Sequence, residues 1–198
     1  MTHPVQQKIN LSLASVLVID NSQHVLDILT QVMKGMGAQD IHRCTTVADA
    51  SQFLAQTPAD LIVIDPTLKD EDGYEFIRSV RRSSSSTQRV APIISMSGYS
   101  TAATVARARD CGANFFVAKP ITPKVLIDRL IFIGRDNRQF IEVEGGYCGP
   151  DRRFKFEGPP PGSLGRRAED KAPVGDASAP NMSQDEVDFM IKPQRVQL

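Results

Sequence analysis

The sequence is short of cysteine, of surplus charge and of long apolar runs, and each shortage closes off a class of protein. Its three cysteines, Cys44, Cys111 and Cys148, are too few and too scattered for a disulfide framework, and no Cys-x-x-Cys pair offers a zinc site. Reduced thiols in a cytosolic protein are the simplest reading. The 23 Lys and Arg are matched by 23 Asp and Glu, so no global charge draws the chain to nucleic acid or to an acidic membrane. The longest apolar runs are about five or six residues, against the roughly 20 of a membrane span. The opening segment Met1–Asn10 lacks the basic-then-apolar layout of a signal peptide. These absences lead to the expectation of a soluble, cytoplasmic chain with no membrane insertion.

What is present is an alternation. From about Ser15 to Ile133, short apolar runs trade places with stretches of helical spacing. The runs are Val16–Ile19, a weak one over Ile41–Thr45, Leu61–Ile64, Ile93–Met96 and Phe115–Val117, which suit strands buried on both faces of a parallel sheet. Between them, Val25, Leu26, Leu29, Val32, Met33 and Met36 recur at three-and-four spacing behind a candidate cap, Ser22. Ala48–Ala55 and Tyr74–Val80 read as further helices. Ser100 is placed to cap a fourth that stops at Cys111-Gly112, and Thr122-Pro123 opens a fifth in the favoured cap-then-proline order. Five such units predict a doubly wound α/β fold: a five-stranded parallel sheet with helices on both faces.

In such folds ligands bind at the carboxyl ends of the strands. There the sequence sets Asp20-Asn21, Asp65, Ser97-Gly98 and Lys119-Pro120. Two carboxylates on one rim repel unless a cation joins them, and Mg²⁺ suits one or two carboxylates plus water and phosphate oxygens. Lys119 adds a point charge and Ser97 a hydroxyl. An anion with several oxygens would be held by metal, ammonium and hydroxyl together, as phosphoryl transfer to a carboxylate nucleophile requires. Any one of these residues alone has an ordinary structural explanation; the joint arrangement at four strand ends carries the reading.

The runs VLVIDNS (16–22), LIVIDPTLKDEDGYEFI (61–77), APIISMSG (91–98) and GANFFVAKP (112–120) give the chain, over residues 14–133, a resemblance to the receiver domain of two-component response regulators, of the flavodoxin-like fold. The resemblance implies a phosphoacceptor at Asp65, with Ser97 and Lys119 completing the catalytic set. It implies a metal site of Asp20, Asn21, Asp65 and the backbone carbonyl of Thr67, and a switch made by Ser97 and Phe116. It also implies a cis Lys119-Pro120 bond. The chain departs from the pattern at Asn21, where the family has a second acid, and that substitution weakens the expected Mg²⁺ site. Tyr99 is expected to cover the acceptor in part.

Residues 1–13 read as a flexible N-terminal arm. After Gly134, Gly, Pro and paired Arg replace the apolar periodicity, and 134–180 reads as an extended tail. Phe140, Ile141 and Val143 suggest a strand or an arm. Arg152-Arg153 and Arg166-Arg167 are candidate anion grips, set against a solvated linker or an arm packed on the domain. Lys171–Pro180 has the composition of disorder. In 181–198, Ser183 and Glu186 form a capping box ahead of a short helix whose Val187, Met190 and Ile191 share one face. Met182–Met190 resembles the N-terminal peptide of the flagellar switch protein that receives the chemotaxis regulator, which implies docking on a receiver domain, this chain's own or a partner's. The tail holds neither a helix-turn-helix pattern nor a catalytic constellation, so no DNA and no output enzyme are expected. The function expected is a phosphorylation-controlled signalling protein. It would be served by a histidine kinase or phosphotransfer protein, and would act on a downstream protein through the face around Phe116. The alternative is a scaffold that never turns over phosphate.

Overall fold

Each apolar run forms a strand. In a computed structural model, which describes residues 10–69, 71–136, 138–143, 147–151 and 181–191 without the side chains of Phe189 and Ile191, they are β1 (Ser15–Ile19), β2 (Asp40–Cys44), β3 (Leu61–Ile64), β4 (Ile93–Ser97) and β5 (Phe115–Ala118). They pair in parallel in the order β2-β1-β3-β4-β5. Alternate side chains go to opposite faces, so each strand feeds two cores. Leu17, Ile19, Ile62, Ile64, Ile93 and Phe116 meet the helices on one side. Val16, Val18, Val63, Ile94, Met96 and Val117 meet those on the other.

The helices are α1 (Gln23–Gly35), α2 (Val47–Gln56), α3 (Gly73–Arg81), α4 (Ser86–Val90), α5 (Ala102–Asp110) and α6 (Pro123–Ile133). Leu26, Leu29 and Met33 of α1 join Leu126 and Leu130 of α6 on one face, and α2, α3 and α5 cover the other. Each of the six begins at a Ser, Thr or Asp whose side chain accepts an N–H of the first turn, an arrangement worth about 1 kcal/mol per helix. Two expectations are corrected here. The cap of α5 is Thr101, not Ser100, whose hydroxyl instead donates to the carbonyl of Met182 at 2.7 Å. The serine-rich stretch after α3 holds the extra helix α4, which buries no side chain and therefore left no apolar periodicity to read.

Beyond α6, β6 (Phe140–Val143) and β7 (Tyr147–Pro150) pair as an antiparallel hairpin. The hairpin lies at the amino ends of β4 and β5, where the Gly112 Cα sits against Gly149. Residues 10–12, in the stretch expected as a free arm, are tied to the end of α1, the Leu11 N–H donating to the Met36 carbonyl at 3.0 Å. A last helix, α7 (Gln184–Ile191), packs on α5 and β5, with Val187 fully buried beside Phe116, Val105 and Ala108. Among the described residues no helix is long and apolar enough to cross a membrane.

Candidate functional site

Strand order reverses direction between β1 and β3, and the two acids follow those strands directly. Backbone bonds continue past the strand ends and fix them: Asp20 N–H donates to Cys44 O (3.1 Å), Asp65 N–H to Ile19 O (2.9 Å) and Lys119 N–H to Ser97 O (2.8 Å). The side chains then converge. Lys119 Nζ donates to Asp20 Oδ2 at 2.7 Å and to Asp65 Oδ2 at 2.6 Å. The remaining oxygens are held as well, Asp20 Oδ1 by the Ser22 N–H (2.9 Å) and Asp65 Oδ1 by the N–H (2.8 Å) and hydroxyl of Thr67. Asp20 is wholly buried and Asp65 is 7% exposed, just open to the rim. Burial works against the charge on Lys119. The hydrogen bonds and negative charge of Asp20 and Asp65 more than offset it, so its pKa lies above the ordinary lysine value.

The cluster of two carboxylates and one ammonium still carries a net negative charge, and its donors are all oxygen, which suits Mg²⁺. Asn21 stands exposed on the rim next to Asp20. Among the described residues no group of three or more His, Cys, Asp or Glu could hold a metal. The residues present therefore fit Mg²⁺ with two carboxylates and neutral oxygens only. Ser97 is buried, with its Oγ 3.3 Å from the Thr67 hydroxyl and accepting the Tyr99 N–H at 3.1 Å. Phe116 lies in the core at 1% exposure, while Tyr99 is 68% exposed. The Lys119-Pro120 bond is cis.

The fold has counterparts among known proteins. Residues 16–131 match the family model described as the response regulator receiver domain. The chain belongs to that family. Receiver domains serve two-component signalling, and this is what places the chain there. GltR of Pseudomonas aeruginosa, a transcriptional regulatory protein, is 32% identical over 67% of this chain and 53% of its own length. CheY1 of Helicobacter pylori, a chemotaxis protein, is 27% identical over 58% of this chain and 91% of its own. The chain spans about half or less of most of the curated relatives it matches. Among solved structures, the receiver domain of a histidine kinase from Syntrophus aciditrophicus superposes with a TM-score of 0.54 at 25% identity, covering 66% of this chain and 98% of that one. The chemotaxis regulator CheY4 of Vibrio cholerae shares the fold at a TM-score of 0.55 and 21% identity, over 61% of this chain and 98% of its own.

The receiver thus brings Asp20, Asp65, Thr67, Ser97 and Lys119 together on one rim and puts Phe116 beneath the neighbouring face. The tail candidates Arg152, Arg153, Arg166 and Arg167, and the side chain of Ile191, lie outside the described residues. Val187 and Met190 do share the packed face of α7. Thr67 does more than sequence reading gave it, since its N–H and hydroxyl both hold the Asp65 carboxylate. Arg129, Asn181 and Gln184, which fix the tail helix to the domain, were missed altogether. Only their partners' positions in space single them out.

Proposed function

We propose that Asp65 accepts a phosphoryl group and that the chain is a phosphorylation-controlled switch rather than an output enzyme. The observation that carries this reading is Lys119 Nζ bridging Asp20 and Asp65 within hydrogen-bond distance at the point where strand order reverses. With a phosphohistidine on a kinase or phosphotransfer protein as donor, an Asp65 oxygen forms the new P–O bond. The P–N bond breaks, and its electron pair returns to the imidazole, which takes up a proton. Lys119 pairs with a phosphoryl oxygen and the Ser97 hydroxyl donates to another. Asp20, Asp65 and the Thr67 carbonyl, with Asn21 beside them, would hold Mg²⁺, which supplies positive charge to the phosphoryl oxygens. Movement of Ser97 toward the phosphoryl group favours the inward position of Phe116 and reshapes the face around it, a two-state element biased by local charge.

The exposed Asn21, in place of a carboxylate, favours a second reading, a scaffold that binds partners without phosphorylation. One experiment separates the two. The chain is treated with Mg²⁺ and acetyl phosphate, and its intact mass is measured. A gain of one phosphoryl group that is lost in Asp65→Asn is the expected result. No gain across a Mg²⁺ titration, nor with histidine-phosphorylated donor protein, would establish the scaffold.

A further inference from the structure

The edge of the sheet at β5 is finished by the chain's own tail. Phe116 and Ala118 turn a carbonyl and an N–H away from β4, toward the open side of the sheet, and unpaired edge groups of this kind recruit a partner. The Gln184 carboxamide meets both, its Nε2 donating to Phe116 O at 3.2 Å and its Oε1 accepting the Ala118 N–H at 2.7 Å. A primary amide carries the same donor and acceptor as a peptide group, so Gln184 stands where a neighbouring strand would. Its Nε2 also donates to Asp188 Oδ1 at 2.9 Å, which orients the acid one turn on.

Three further contacts complete the recognition. Val187 is fully buried between α5 and β5. Asp188 pairs with Arg129 of α6, a residue only 5% exposed, whose Nε has no hydrogen-bond partner among the described residues. A buried charge needs a partner, and Arg129 takes the Asp188 carboxylate, so this face accepts an acid. The Asn181 side chain accepts the Ser100 N–H at 3.1 Å and donates to Gly98 O at 3.1 Å, while the Met182 N–H donates to the Ser100 carbonyl at 2.9 Å and the Ser100 hydroxyl donates to the Met182 carbonyl at 2.7 Å.

We propose that the α5–β5–α6 face is a helix-recognition surface, that residues 181–191 are its tethered ligand, and that the partner it admits is a helix of the same chemistry. Such a helix carries a capping Ser, a Gln at the start to close the β5 edge, an aliphatic residue three positions on, and an acid at the fourth for Arg129. The capping box that preforms the ligand is in place: Ser183 N–H donates to the Glu186 carboxylate at 2.7 Å, and Glu186 N–H to Ser183 Oγ at 3.4 Å. Because the ligand belongs to the same chain as the face, it stands at high local concentration, so a competing helix gains the face only when it binds well or when α7 lifts away. This surface stands on its own contacts and does not depend on phosphorylation at Asp65.

The test uses the full chain without phosphodonor. A fluorescent peptide of residues 181–191 is titrated against the wild-type protein and against Val187→Asp, whose α7 cannot seat, with Gln184→Ala as an independent second variant. The expected result is binding to both variants and binding to wild type weaker by roughly tenfold or more, as a tethered competitor requires. A peptide carrying Asp188→Lys should not bind either variant. Equal affinity for wild type and variants would overturn the tethered ligand, and no binding to any of them would overturn the surface. A wild-type dimer that Val187→Asp turns into monomer would mean α7 is exchanged between copies, which also overturns the arrangement within one chain.

Discussion

Arg81 looks unremarkable in the sequence, one of an adjacent pair on a helix, and is the largest side chain fully buried among the described residues. None of those residues gives it a carboxylate. It donates instead to the carbonyls of Gly112 (2.9 Å), Arg89 (2.8 Å) and Ala91 (2.6 Å) and to Asn114 Oδ1 (2.8 Å), and the ring of Phe140 lies 4.8 Å from its guanidinium. Burial pulls its pKa down to about 10, which still leaves it charged at neutral pH. One side chain thereby satisfies the loops ahead of β4 and β5 and seats the β6–β7 hairpin. Arg81→Met should leave these carbonyls buried without donors and cost on the order of 3 kcal/mol or more in urea unfolding. Arg81→Lys should recover only a minor part, because an ammonium cannot reproduce the planar fork. Full recovery in the lysine variant would show that charge, not geometry, is what the position needs.

At the scale of elements, the hairpin and α7 are the parts added to a plain receiver, and each is fixed by a different kind of fit. The hairpin depends on close backbone approach. Gly112 has φ +100°, and a Cβ there would lie 2.4 Å from the Cys148 carbonyl oxygen. Gly112→Ala should cost roughly 1–3 kcal/mol through the backbone alone. It should also push β7 off the domain. Amide exchange at Ile141 and Val143 is expected to rise toward the unprotected rate while Val18 and Val63 stay protected; unchanged protection at Ile141 would mean the hairpin holds by other contacts.

These two additions also mark where sequence reading stopped. The strands and the rim were legible because a buried parallel strand announces itself as an apolar run, and the chemistry follows at its end: Asp20, Asp65, Ser97 and Lys119 each come right after one. The capping box of α7 was legible for the same local reason. Arg81, Arg129 and Gln184 were not, since a surface residue and a buried hub have the same letter and differ only in what the fold brings to them. Ser100 and Thr101 show the limit most sharply. Either hydroxyl could cap α5, and the choice falls to Thr101 because Ser100 is engaged by Met182, far along the chain.

Taken whole, the molecule has its carboxylate rim at one end of the sheet, the hairpin at the other, and α7 along the side. The loop of residues 98–101 joins two of these. It leaves directly from Ser97, and Asn181 and Met182 hold it at Gly98 and Ser100. Seating of α7 on an inward Phe116 and occupation of Asp65 should therefore favour each other, and by linkage the two effects must be equal. Val187→Asp is expected to weaken the affinity of a phosphate mimic at Asp65 by roughly fivefold or more. The same factor should separate the affinities of the 181–191 peptide for that variant with and without the mimic. No change in either affinity would show that the loop does not transmit.

The Gln184 amide on the β5 edge has one more consequence, in time rather than space. A ribosome makes the receiver first and its edge-closing residue more than fifty positions after α6 ends. At roughly 5–20 residues per second of synthesis, every newborn copy spends seconds with that strand edge and the Arg129 guanidinium bare. During that window nascent chains on one messenger present the same open edge to their neighbours, and a stretch translated well after the receiver is the one that ends the hazard.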